Sequence, residues 1–312
     1  MHGDQQSHDE VASVHIRVLS EVVGREHELE LALATVAAGR DPVLEGPPGT
    51  SKTTMLKAIT AEWDIPLLFV EGNGDLTPAK LIGHHNPARV LREDYSPENF
   101  VPGPLVEAME EGGFLYVEEF NRAPEDTLNT LLAAMADRAI AIPRVGMITA
   151  KQTFRVIASM NPYDAVGTTR LSTSISDRLN RIVVDYQEAA EEERIVILRA
   201  GLSDAGAQPL AADAVAVTRA TRTHPSVRQG SSVRGAIDCA LILKALLALR
   251  GVTPQGQRPD EPYAAVVLDA MMVALSGRIR LDEAAETTPE RVLREIWEDR
   301  FMLEPAAYAG AT

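Results

Sequence analysis

Lys52 and Thr53 close the run Gly46-Pro47-Pro48-Gly49-Thr50-Ser51-Lys52-Thr53, which departs at one position from the phosphate-loop pattern G-x-x-x-x-G-K-[ST]. Such a loop curls backbone N–H groups around phosphates in front of a helix N-terminus. Its lysine reaches the outer phosphate oxygens and its hydroxyl takes a place on Mg2+. Ser51 stands where the pattern has glycine, so a Cβ must be tolerated close to the ligand. Taken alone, the same residues also read as a Pro-Gly turn before a helix.

Two further segments carry suitable groups. Phe114-Leu115-Tyr116-Val117 is an apolar run ending in Glu118-Glu119. In a nucleotide hydrolase the first carboxylate of such a pair holds the Mg2+ shell and the second polarises the attacking water. Glu118 takes the place of the usual aspartate; its extra methylene moves the carboxylate by roughly 1.3–1.5 Å, which predicts looser metal positioning and slower turnover. The bland alternative is an exposed acidic strand end. Ile157-Ala158-Ser159-Met160-Asn161-Pro162 puts an amide at the C-terminal edge of a strand, where open α/β sheets bind their ligands. Asn161 there could bond the terminal phosphate or the attacking water, or could be a turn residue before proline.

The elements around these groups suit that placement. Leu29, Ala32, Leu33 and Val36 recur at helical spacing and stop at Gly39. Val43–Glu45 reads as a strand, and the loop is followed by a helix with apolar face Met55, Leu56, Ile59 and Trp63. Leu67–Val70, Phe114–Val117 and Arg155–Ser159 read as further strands, with a helix at Leu128, Leu131, Leu132 and Met135 opened by Pro124, Glu125 and Asp126. A hairpin is expected from Arg138–Ile142 and Met147–Thr153 across Pro143–Gly146. Strands alternating with helices imply a mostly parallel sheet covered on both faces. Beyond about Tyr186 the patterns are helical: Glu191–Ala200, Leu210–Arg222, Ser232–Leu249, Pro262–Leu275 and Pro289–Trp297.

The expected organisation is a flexible tail over residues 1–20, an α/β nucleotide domain over 21–187, and a smaller helical domain over 188–312, with a flexible connection at Gly251–Pro259. Residues 72–104 are too long for a passive connection and read as an insert. The 312 residues carry a formal charge of −15, which argues against a chain that coats nucleic acid or an anionic membrane. One cysteine, Cys239, sits among apolar residues and reads as a buried small hydrophobe in a reducing compartment. No run approaches the roughly 20 apolar residues of a membrane span, and residues 1–20 lack the features of a signal peptide, so a cytoplasmic location is expected. His84-His85 read as surface or capping residues rather than a metal site, and the acidic stretch Asp282–Glu304 as a solvated helix face.

In their order these segments resemble an AAA+ ATPase, and more narrowly the MoxR family, itself similar to the dynein-related and magnesium-chelatase ATPases. The resemblance covers about Val22 to Leu249. It rests on Val23-Gly24-Arg25-Glu26, Glu45–Thr53, Phe100-Val101-Pro102-Gly103-Pro104-Leu105, Glu118-Glu119-Phe120-Asn121-Arg122-Ala123-Pro124, Asn161-Pro162 with Gly167-Thr168, Asp177-Arg178-Leu179, and Gly230-Ser231-Ser232-Val233-Arg234. It implies a P-loop αβα sandwich with a central parallel sheet, followed by a helical lid.

It also implies roles. Gly46, Pro47, Pro48, Gly49, Thr50, Ser51, Lys52, Thr53 and Thr54 would hold ATP, Thr53 and Glu118 the Mg2+, Glu119 the attacking water, and Asn161 the first sensor position. Arg178 would reach the neighbouring subunit's γ-phosphate, with Arg170 and Arg181 as rivals. Arg234 would be the second sensor on a lid helix capped by Ser231 or Ser232, with Arg228 as its rival; guanidinium forks stabilise charge on transferred phosphoryl oxygens. Val233 precedes Arg234 where proline is frequent in the family.

The function so implied is ATP hydrolysis in a ring, expected to be hexameric, driving chaperone-like maturation of a client protein complex. A von Willebrand A-domain protein is the implied partner, with no direct nucleic acid and no membrane. The insert over 72–104 is expected to face the client. An ATP-gated scaffold with little hydrolysis and a nucleic-acid remodelling motor are the alternatives.

Overall fold

The computed structural model describes residues 22–93, 95–162, 173–203, 207–252 and 261–302. Arg170, Gly167-Thr168 and the tail over 1–20 lie outside the described residues, as does most of the Gly251–Pro259 connection. The chain divides into two compact units, one ending at Asp185 and one beginning at Tyr186.

The first unit opens with α1 (Glu26–Ala37), β1 (Pro42–Glu45), α2 (Lys52–Glu62) and β2 (Leu67–Glu71). An insert follows, made of α3 (Pro78–Ile82), β3 (Gly83–His85), α4 (Pro87–Glu93) and β4 (Phe100–Pro102). Then come α5 (Pro104–Glu111), β5 (Phe114–Glu118), α6 (Glu125–Asp137), the hairpin β6 (Ala139–Ile142) and β7 (Gly146–Thr149), β8 (Arg155–Met160), α7 (Thr173–Ser176) and β9 (Asn180–Val183).

Five strands form one parallel sheet in the order β2-β5-β8-β1-β9. Its two cores follow from the period-two alternation of strands buried on both faces. Phe114, Tyr116, Ile157, Leu44 and Ile182 pack on one side against Leu29, Leu33, Met55, Leu56 and Ile59 of α1 and α2. Leu115, Val117, Val156 and Ala158 pack on the other against Leu105, Met109, Leu128 and Leu131 of α5 and α6. This is the αβα sandwich that the resemblance implies. Trp63, expected on the α2 face, lies just past the helix end and stacks edge-on to Phe114 at 6.4 Å.

Strand β9 has no counterpart in the sequence reading. It pairs with β1 from Pro42↔Asn180 to Glu45↔Val183, yet only Ile182 of its four residues is buried. An edge strand with one covered face leaves too short an apolar pattern to be read as a strand.

In the insert, β3 and β4 pair antiparallel, and Leu76 and Leu81 anchor the segment in the core. His85 lies edge-on to Tyr95 and Phe100, at 5.3 and 5.5 Å between ring centres. Among the described residues no group of three His, Cys, Asp or Glu side chains is placed to hold a metal ion, and no helix is long and apolar enough to cross a membrane.

The second unit contains α8 (Ala189–Arg199), α9 (Ala207–Thr223), β10 (Val227–Gln229), α10 (Val233–Arg250), α11 (Glu261–Leu275), β11 (Arg280–Leu281) and α12 (Pro289–Phe301). It is helical apart from the antiparallel ribbon of β10 and β11. Glu188 and Glu191 form a reciprocal capping box on α8. Buried Glu192 is paired with Arg222 at 2.8 Å and Arg219 at 3.3 Å, and Arg222 stacks over Tyr186 at 3.8 Å. Cys239 is fully buried, and its thiol is pushed up to about 12 by burial, with the charge of Asp213 adding to the shift. Ser232 occupies the N-cap of α10, but its side chain makes no capping hydrogen bond. Within the acidic stretch α12 buries Val292, Leu293 and Ile296, while Thr288 caps its start by accepting from the Arg291 N–H at 3.3 Å.

Candidate nucleotide site

The loop between β1 and α2 is held by its neighbours. The Gly46 N–H donates to the Met160 carbonyl at 3.1 Å, and the Val184 N–H donates to the Glu45 carbonyl at 2.8 Å. A Cβ on Gly46 would stand 1.9 Å from the Val184 carbonyl oxygen, so only glycine fits between the exits of the adjacent strands. Gly49 and Ser51 both adopt left-handed backbone, at φ 76° and 65°. Left-handed residues in such a turn re-aim successive N–H groups inward, forming an anion-binding concavity at the helix start. The departure at Ser51 therefore costs backbone strain at positive φ, beyond the closeness of a Cβ to the ligand.

Lys52 is buried inside this loop. Its ammonium donates to the carbonyls of Gly46 at 3.0 Å and Pro47 at 2.7 Å and to Thr50 Oγ1 at 3.2 Å. Beside it, Thr53 Oγ1 lies 3.2 Å from Glu118 Oε1 and 3.2 Å from Tyr116 Oη. Tyr116 in turn donates to Ser159 Oγ at 2.9 Å, which ties α2, β5 and β8 together beneath the loop. Burial raises the Tyr116 phenol above its ordinary value, against the opposing hydrogen bonds to Ser159 and Thr53 and with help from the charge of Glu118.

The extra methylene of Glu118 does not keep its carboxylate off the Thr53 hydroxyl. A threonine hydroxyl and a carboxylate are hard oxygen donors, the set Mg2+ prefers, and the ammonium and the concave backbone suit phosphate. The residues present fit a magnesium nucleotide.

Glu119 follows at φ 52°, another left-handed residue, and starts the 3-10 turn Phe120–Arg122. Its carboxylate is partly exposed and lies 3.1 Å from Arg122 Nη1. The Gly72 N–H donates to the Glu118 carbonyl at 2.7 Å, so the end of β2 braces this turn. Asn161 directly follows β8, and Asn121 Nδ2 donates to its carbonyl at 3.4 Å. Lys52, Thr53, Glu118, Glu119 and Asn161 thus gather at the C-terminal edge of β1, β5 and β8.

Arg178 lies at the opposite edge. It precedes β9, whose first residue Asn180 pairs with Pro42 at the start of β1. The length of β1, about 13 Å for four residues, separates it from its own phosphate loop. Its Nη1 donates to the Ser174 carbonyl at 2.9 Å, and it lines a polar cavity of about 650 Å3 with Arg40, Asp41, Arg138, Asp177 and Asn180. Its rival Arg181 forks onto Glu45, Nε to Oε2 at 2.7 Å and Nη2 to Oε1 at 2.6 Å. In the second unit Arg234 is exposed in the first turn of α10, while Arg228 pairs with Glu283 at 3.5 Å.

Tyr116, Ser159, Gly72 and Glu45 have no role of their own in the sequence motifs, and the structure places all four around the loop and the acidic pair. A tyrosine inside a fully buried strand was the available signal for the first, because its hydroxyl must find a partner there.

Residues 41–179 match the AAA domain of the dynein-related subfamily. The chain is 27% identical over 238 residues to the gas vesicle ATPase GvpN of Ancylobacter aquaticus, a span covering 70% of this chain and 64% of that protein. It is 29% identical over 187 residues to the denitrification regulatory protein NirQ of Pseudomonas aeruginosa, covering 59% of this chain and 69% of the relative. A candidate ATPase of Cytophaga hutchinsonii shares the fold, with a TM-score of 0.53 and 20% identity over 94% of each chain. The chain spans less than two thirds of the length of the Ancylobacter protein.

Proposed function

This chain belongs to the AAA+ ATPases of the dynein-related, MoxR-like kind, and on that premise we propose that it hydrolyses ATP with Mg2+ in a ring assembly and uses the cycle to remodel a client protein complex. One observation carries the reading: at the mouth of the loop that encloses Lys52, the Thr53 hydroxyl and the Glu118 carboxylate meet at 3.2 Å, with Glu119 next in the chain. Phosphate binding, metal binding and activation of water then share one edge of the sheet, where ligands of such sheets bind.

In this mechanism Lys52 leaves the loop carbonyls for the β- and γ-phosphate oxygens. Thr53 and Glu118 hold the cation, which when bound neutralises charge on the phosphoryl oxygens. Glu119 orients a water and accepts its proton as the water oxygen bonds to the γ-phosphorus. The bond to the bridging oxygen breaks, and ADP and phosphate result. Asn161 holds the attacking water or the γ-phosphate. Arg178, too far from its own loop, serves the site of the next subunit, which is why a ring is part of the proposal. Arg234 is the second sensor; a cation in the first turn of a helix opposes the macrodipole, an arrangement an anionic ligand would relieve.

The charge of −15 favours a protein client over nucleic acid. A relative named as a gas vesicle ATPase is in keeping with a protein assembly as client; a von Willebrand A-domain adaptor and a cytoplasmic location complete the proposal on the resemblance of the sequence motifs alone. Phosphate release from ATP that needs Mg2+ and disappears in Lys52→Ala tests the reading; equal release by that variant overturns it.

A further inference from the structure

The helix that presents Arg234 is not fixed by its own cap. Ser232 sits at the N-cap of α10 without a side-chain capping bond, and Arg234 puts a cation in the first turn, where the macrodipole disfavours it. The start of α10 is held instead from the last turn of α9. The Ser231 N–H donates to Thr221 Oγ1 at 2.9 Å, and Arg222 Nε donates to the Ser231 carbonyl at 2.7 Å. Beside these bonds, a Cβ on Gly230 would stand 2.6 Å from the Arg222 Cα, so the loop lies directly on that residue.

The Arg222 guanidinium is itself fixed on two further sides. Its Nη1 pairs with the fully buried Glu192 of α8 at 2.8 Å, and its Cζ lies 3.8 Å from the centre of the Tyr186 ring. Arg219, also paired with Glu192, donates to the Gln187 carbonyl at 2.7 Å. Tyr186 and Gln187 are the first two residues of the second unit. One planar side chain therefore joins that entry segment to Ser231, three places before Arg234. A fixed fork of donors stacked on an aromatic face is a geometry that lysine does not reproduce.

We infer that Arg222 and Thr221 are positioning residues for Arg234: by holding Ser231 from both ends of its backbone to α9, they set where α10 begins and so where the Arg234 guanidinium stands when nucleotide is bound. This rests on the reading of Arg234 as the second sensor. Two variants loosen the hold at different points. Arg222→Lys keeps a cation beside Glu192 and gives up the fork to Ser231 and the stack on Tyr186. Thr221→Val removes the acceptor of the Ser231 N–H and leaves the guanidinium network in place. Calorimetric titration of the full chain with ADP and with the non-hydrolysable ATP analogue AMP-PNP, each with Mg2+, reads the ratio of the two affinities.

Arg234→Ala is expected to shift that ratio against AMP-PNP by about tenfold, the scale of one hydrogen bond to a charged group. Arg222→Lys and Thr221→Val should each shift it the same way by about threefold. Combined with Arg234→Ala, neither should shift it further, because the start of α10 no longer matters to the ligand once the arginine is gone. A merely structural role lowers the melting temperature and leaves the ratio alone; that result overturns the inference, as do shifts that multiply with that of Arg234→Ala. Should Arg222→Lys not fold, Thr221→Val decides. A ratio unchanged in Arg234→Ala itself overturns the sensor reading and the inference with it.

Discussion

Gly72 lies so close to Glu119 that a Cβ added to it would stand 2.4 Å from the Glu119 carbonyl oxygen and 3.0 Å from that of Glu118. The end of β2 therefore sets the backbone of both acidic residues. Gly72→Ala should displace the turn carrying Glu119 and lower phosphate release by about 100-fold, the scale of a 1 Å misplacement at a catalytic group. Gly74→Ala, which meets nothing within 4 Å, is the control and should leave the rate unchanged. Steady-state phosphate release on both variants checks this.

Arg178 and Arg181 separate in a mixing experiment. Arg178→Ala should be inactive alone, as should Lys52→Ala, yet mixed rings should recover activity, because the intact loop of one meets the intact arginine of the other. Arg181→Ala should stay active. It loses a pair whose arginine is 58% exposed, worth under about 1 kcal/mol in a denaturant titration.

Arg234→Ala should separate stability from turnover. Removing a cation from the first turn of α10 leaves the melting temperature unchanged or slightly higher, since the macrodipole disfavours it there. The hydrolysis rate should fall. Calorimetric melting alongside phosphate release reads both effects.

Cys239 reports on the second unit. Its thiol is raised from 9.0 to about 12, so the folded state favours the protonated form. That contribution to stability is complete below about pH 9 and is lost as pH rises toward 12. Thiol alkylation at pH 8 should be slow in the folded chain and should rise with denaturant in step with loss of helical circular dichroism.

The phosphate loop, the acidic pair and strands β1, β2, β5 and β8 are legible because each is a local pattern of consecutive residues. Leu128, Leu131, Leu132 and Met135 all end on the buried face that their spacing predicts. Strand β9 is not legible, since its pairing with β1 joins segments more than 130 residues apart and only Ile182 turns inward. Ribbon β10–β11 is hidden for a similar reason, its second strand being two residues long. The constraints on Gly46 and Gly72 come from carbonyls of neighbouring segments, and the contact of Tyr116 from a hydroxyl on α2. No local pattern carries such contacts.

The proposed hydrolysis depends above all on Glu119 activating water beside the loop that holds Lys52. Phosphate release and ATP retention measured together on the unchanged chain and Glu119→Gln test it most directly. The variant should bind Mg2+-ATP as tightly as the unchanged chain and retain it unhydrolysed, with release down by at least about 100-fold. Release at the unchanged rate by Glu119→Gln would contradict it.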